Sequence, residues 1–205
     1  ELFAGIVGDQ EGNPIMGALS DSAIRDEKGN MENYKYYNDN NFVSSYRISK
    51  FVVDWMRERG DMRLPKLAEM MIKLDGKNAD PTDLANYKGV IPNPGATGDN
   101  NNTDMEDGSQ SRLKSKWYLE PVGPSAMNIG YPEQEFILAE AALRGWTEDD
   151  PETHYLNGIR AAHEFLGVSS ADTRAYLGHE KVQFKGSDTE KLGKIITEKY
   201  LNFFM

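Results

Sequence analysis

The sequence predicts an all-α architecture of antiparallel helical pairs, interrupted by long irregular loops and carrying only minor β structure. Three observations lead there. The stretch YPEQEFILAEAALRGW (Tyr131 to Trp146) is apolar nearly all round, yet shorter than the roughly 18–20 residues that cross a bilayer. The carboxyl-terminal third repeats one helix grammar, with proline at the start and glycine at the end. Between Gly76 and Gly130 there is almost no periodicity, and six of the nine prolines lie from Pro81 to Pro132.

Residues 1–45 are rich in Gly, Asn, Asp and Tyr, and read as loops with short strands. In residues 46–75 the pattern changes. Ile48, Phe51, Val52, Trp55 and Met56 recur at helical spacing, Ser44 or Ser45 is placed to cap the start, and Gly60 to end the helix. The following MRLPKLAEMMIKLDGK fits either a short helix from Pro65 or an extended segment. Residues 76–130 form a long loop region. Loops of that length in a compact domain are mostly functional or disordered, so this is the candidate ligand surface.

Residues 131–205 are the helical, repeat-like part. Pro132 opens the first helix there, and Arg144 with Gly145 closes it. Asp150 as N-cap, Pro151 and Gly167 bound the second, whose apolar stripe is Tyr155, Ile159, Ala162 and Leu166. A short helix follows from Ser170 to Leu177. The last opens with a capping box, Ser187 and Glu190, and is expected to bury Leu192, Ile195, Ile196, Tyr200 and Phe203.

The formal net charge of -10 disfavours nucleic acid as a ligand. With no cysteine, disulfides, thiolate metal sites and cysteine nucleophiles are excluded. The chain starts at Glu1 and stops at KYLNFFM, and we read its 205 residues as a single domain and a piece of something longer.

Ala139, Ala141 and Ala142 let neighbouring helices approach the Tyr131 helix closely. A short loop, Trp146 to Asp149, turns the chain back into the next helix. That is an antiparallel pair of the kind stacked in tetratricopeptide-like repeats, with the first helix apolar all round because it sits inside the stack.

The run FILAEAALRGW, YLNGIRAAHEFLGVS, VQF and KIITEKYLNFF resembles the SusD/RagB family of surface nutrient-binding lipoproteins. Upstream, SYRISKFVVDWMRERGDMRL is similar to that family's helix and Asp-x-Arg element, here Asp61 and Arg63. The resemblance implies a tetratricopeptide-like superhelix bearing ligand-binding loops. It also implies an oligosaccharide ligand, delivery to a SusC-like TonB-dependent transporter, and an outer-membrane, cell-surface location. No lipobox cysteine stands in this sequence, so attachment to the membrane would be through a lipid anchor outside it. An oligopeptide ligand, or a helical-repeat scaffold for proteins, are the alternatives.

Trp117 and Tyr118 in SKWYLEP, Tyr87 in ANYKGVIP, and Tyr36 and Tyr37 in YKYYNDNN are the candidate ligand-binding residues. Sugar rings stack their C–H faces on aromatic rings, while Asn, Asp and Arg pair with hydroxyls. The competing reading is that these aromatics pin the loop to the helical body. The oxygen-rich Asp99 to Gly108 stretch fails the EF-hand spacing and reads as a solvated loop. Adjacent acids such as Glu148, Asp149 and Asp150 read as helix-start charges rather than the separated pair of a glycosidase. Glu140, alone in its apolar run, reads as an acceptor for backbone N–H groups or a buried Arg. His154, His163 and His179 fit no metal spacing. No enzyme, metal or cofactor is expected.

Overall fold

The computed structural model describes residues 47–72, 74, 79–91, 108–116 and 130–203. Within them run six α-helices: α1 (Lys50–Glu58), α2 (Leu64–Leu67), α3 (Tyr131–Leu143), α4 (Pro151–Phe165), α5 (Ser170–Gly178) and α6 (Asp188–Asn202). Among the described residues of the loop region lies one 3-10 turn, Leu84–Asn86. The β content among the described residues is three isolated bridges, Arg47 with Arg112, Ser49 with Val90, and Ala68 with Leu113.

The helix ends follow local chemistry. Asp150 accepts the Thr153 N–H at 3.0 Å ahead of Pro151. Ser187 and Glu190 close the reciprocal capping box. Gly60, at φ 63°, ends α1 in a Schellman turn that binds the Asp61 N–H to the Met56 carbonyl at 2.9 Å. That turn carries Asp61 back into the core, and α2 starts at Leu64 with Pro65 in its first turn, so the ambiguous stretch is helical over Leu64–Leu67 and extended at Ala68, which bridges Leu113.

α3 and α4 pack antiparallel across the tight connection at residues 144–150. Gly158 makes room for the Phe136 ring, which a Cβ there would meet at 2.6 Å. One apolar cluster gathers Phe136, Ala139, Tyr155, Ile159, Tyr176 and Ile195 from α3 to α6. A second joins Val52, Val53 and Met56 of α1 to Leu64, Tyr87, Leu166 and Leu201.

Five expectations are corrected. α1 starts after Ser49 instead of near Ser44 or Ser45, because the bridges at Arg47 and Ser49 hold residues 47–49 extended. Its buried face is Val52, Val53 and Met56, leaving Phe51 53% exposed. On α6 the inward stripe is Ile195, Glu198 and Leu201, whereas Ile196, Tyr200 and Phe203 are exposed and Leu192 is half-buried. α3 is not covered all round: Tyr131 and Ile137 are exposed, since among the described elements it packs chiefly against α4 and α6. Glu140 pairs with Arg144 one turn on at 2.8 Å, at the surface rather than with a buried Arg.

Candidate functional site

The loop region is built onto the α1–α2 corner through its two described stretches, 79–91 and 108–116. Asp80 and Asp83 shape the first: Asp80 accepts the Thr82 N–H at 2.8 Å, and Asp83 caps the 3-10 turn through the Ala85 N–H at 2.9 Å. The backbone at Gly89 then runs against α1, where a Cβ would stand 2.5 Å from Lys50 backbone atoms. Lys50 N–H donates to the Val90 carbonyl at 2.6 Å, and Val90 N–H to that of Ile48 at 2.9 Å.

The second stretch returns beside the first. Ser111 donates its N–H to the Lys88 carbonyl at 2.8 Å, while its hydroxyl oxygen accepts the Lys88 N–H at 3.1 Å. Lys114 N–H donates to the Leu67 carbonyl at 2.8 Å. Glu69 holds the far end, taking the Lys114 ammonium at 2.8 Å and the Ser115 N–H at 3.0 Å. Burial alone would raise the Glu69 carboxyl, but these donors outweigh it and hold it below the ordinary value.

Among the candidate aromatics, the structure describes Tyr87. It is 1% exposed, packs in the α1–α2 cluster and donates its hydroxyl to the Pro81 carbonyl at 3.0 Å. Burial pushes its phenol up to about 12. In this arrangement Tyr87 pins the loop and presents no ring face to a ligand. Trp117, Tyr118, Tyr36 and Tyr37 lie outside the described residues, as do the Asp99 to Asp107 positions of the oxygen-rich stretch.

Below the loop sits a buried ionic network. Arg63 reaches Asp61 through Nε at 3.0 and 2.9 Å and through Nη2 at 2.6 Å. The same Nη2 donates to Glu198 Oε2 at 2.9 Å and Tyr176 Oη at 3.2 Å, and the Tyr176 hydroxyl donates to Glu198 Oε1. Asp61, Arg63 and His163 are wholly buried and Glu198 nearly so. Burial opposes the guanidinium charge, but Asp61 and Glu198 overcome it and hold Arg63 above its ordinary range. Burial likewise raises the Glu198 carboxyl.

His163 completes the network. The Thr173 hydroxyl lies 2.9 Å from the Ser169 carbonyl oxygen and 3.2 Å from His163 Nδ1. His163 Nε2 lies 3.7 Å from Asp61 Oδ1. Burial, then Arg63, hold His163 down to about 4. The network is a structural lock between α1 and α4–α6. The sequence held a signal for it, because Glu198 falls on the buried stripe between Ile195 and Leu201, where a carboxylate needs a cation.

The family model described as "SusD-like_2: Starch-binding associating with outer membrane" matches residues 2–205. A solved outer-membrane protein from Bacteroides vulgatus, described as probably involved in nutrient binding, is 26% identical, with a TM-score of 0.77 over 88% of this chain and 41% of its own. Two SusD homologues from Bacteroides fragilis are also 26% identical over 88% of this chain. Their TM-scores are 0.74 and 0.72, over 41% and 43% of their own lengths. The chain thus spans less than half of these relatives. No curated protein matches it.

Proposed function

We propose a function that starts from membership: this chain belongs to the SusD-like_2 family, described as starch-binding and associated with the outer membrane. Its family is one of binding proteins, not enzymes, and the chain has the family's all-α fold. Nutrient binding, with glycan as its ligand class, is the function at family level.

Our finer reading is that the protein holds an oligosaccharide at the cell surface and passes it to a SusC-like TonB-dependent transporter, held to the membrane by a lipid anchor outside these residues. Among the described residues no helix is long and apolar enough to cross a membrane, which is consistent with such an anchor. The helical pairs would stack into a tetratricopeptide-like superhelix across the longer polypeptide. Trp117 and Tyr118, with Tyr36 and Tyr37, would supply the aromatic faces for sugar rings. What supports a ligand surface in residues 76–130 is the stitching of both described stretches to one corner of the helical body. Trp117 follows Ser115, which Glu69 anchors, by only two residues.

A glycan and peptide array on the full polypeptide tests the reading. Retention of α-glucan or other oligosaccharides supports it. Retention of peptides alone would transfer the protein to the oligopeptide binders, and retention of folded proteins alone to the scaffolds.

A further inference from the structure

A cavity of about 380 Å³ opens between α1, α6 and the 179–187 connection, away from the loop region. Trp55, Arg59, Lys181, Lys194, Glu190 and Glu198 are among the residues that line it. The hydrogen-bond inventory decides what it can hold. Both Glu198 oxygens are taken by Arg63 and Tyr176. Glu190 accepts the Ser187 N–H at 2.7 Å and its hydroxyl at 2.8 Å, both on Oε2. Lys194 is spent on the carbonyls of Gln183 at 2.6 Å and Lys185 at 2.9 Å.

What remains unspent is donors. Arg59 gives Nη1 to the Trp55 carbonyl at 3.1 Å and faces Glu58 at 3.6 Å. Its guanidinium lies 3.9 Å over the Trp55 ring, a stacking that leaves the in-plane N–H edge available. Among the described residues Lys181 pairs once, with Glu58 at 2.8 Å, and retains further N–H groups. The Trp55 Nε1–H is buried without a partner among the described residues. The cavity gathers three cations, Arg59, Lys181 and Lys194, against Glu190, the Arg63-bound Glu198 and the neighbouring Glu58 that Arg59 and Lys181 share, and its surplus donors suit an anionic acceptor.

We propose that this cavity binds a carboxylate borne on a small ligand, gripped by the free edge of Arg59 and by Lys181, with the ligand's apolar part against α6 at Gly193. The site is independent of the loop surface and of the glycan reading. The carboxylate could come from an acidic sugar or from a peptide terminus, and the test separates them.

Full polypeptide labelled with ¹⁵N is titrated with digalacturonate, neutral digalactose, N-acetyl-dialanine and neutral N-acetyl-dialanine amide, following the Trp55 indole resonance. The expected result is a saturable shift with at least one carboxylate probe and none with its neutral counterpart. Whichever acid binds identifies the source. Gly193→Leu fills the cavity, since a Cβ at Gly193 meets nothing within 4 Å, and should abolish the shift with melting unchanged. Arg59→Gln should weaken it at least tenfold. No shift with either carboxylate up to about 10 mM would overturn the proposal, as would binding that survives both substitutions or an equal response to the neutral probes.

Discussion

Replacing Arg63 by methionine keeps much of the side-chain length and apolar volume while removing the cation shared by Asp61, Glu198 and Tyr176. In the parent, five hydrogen bonds of 2.6 to 3.2 Å run from its side chain to these groups. Asp61 is fully buried and Glu198 is 2% exposed, so neither carboxylate can turn to water. Breaking a buried pair by removing one partner costs about 3–5 kcal/mol, because the other charge stays uncompensated. For a chain of this size, each kcal/mol moves the melting temperature by roughly 2–4 °C, so Arg63→Met should melt at least ~6 °C lower. Urea denaturation at pH 7 measures the free energy directly. The same network made neutral, with Arg63→Met, Asp61→Asn and Glu198→Gln together, should recover much of the loss. A single-variant loss below about 1 kcal/mol, or a triple variant no better than the single one, would refute the claim that Arg63 locks α1 to α4–α6.

Two further outcomes follow from the same geometry. His163 is held down to about 4, against 6.5 when free, so the unfolded chain takes its proton first as pH falls. Its contribution is present above pH 6.5 and lost between there and about 4, worth up to ~3 kcal/mol at 1.36 kcal/mol per unit. Glu198, raised by burial, works in the opposite direction, so the readout is the difference between the parent and His163→Gln across that window. The parent should lose more stability on acidification than the variant, and parallel curves would contradict the assignment. Gly89→Val would drive a side chain into Lys50 backbone 2.5 Å away, which cannot yield as a flexible side chain can. Amide exchange should accelerate at Val90 and Lys50 while α4 and α6 keep their protection; unchanged exchange at Val90 would show that the contact does not hold the loop.

Much of the carboxyl-terminal third was legible because neighbouring residues determine it. Asp150, Pro151, Ser187 and Glu190 act within their own first turns, and the Tyr155, Ile159, Ala162, Leu166 stripe has only one apolar face to choose. α6 was misjudged because it has two. Hydrophobicity alone favours the face with Ile196, Tyr200 and Phe203, yet the face bearing Glu198 turns inward to meet Arg63, 135 residues earlier in the chain. Phe51 is outside for a related reason: residues 47–49 are extended, which rotates the start of α1 so that Val53 points inward. Tyr87 sits in a stretch without period, and its burial depends on Gly89 bringing that stretch onto α1, a contact between segments that no local pattern encodes. The Asp61-x-Arg63 element was visible as a family resemblance, but its partners Tyr176 and Glu198 were not.

The central claim is that the protein binds oligosaccharide through its loop aromatics, and calorimetric titration of the full polypeptide with maltoheptaose, parent against Trp117→Ala, tests it most directly. The starch-binding description of the family sets the first probe. The account predicts measurable binding by the parent, at least a tenfold weaker affinity in Trp117→Ala, about 1.4 kcal/mol, and an unchanged melting temperature. A lowered melting temperature that reports a stability loss of roughly 3–5 kcal/mol, typical of a buried tryptophan, would make Trp117 a loop anchor like Tyr87. Parent binding that Trp117→Ala leaves intact would remove it from the site, and no binding of maltoheptaose or any other oligosaccharide by the parent would contradict the account itself.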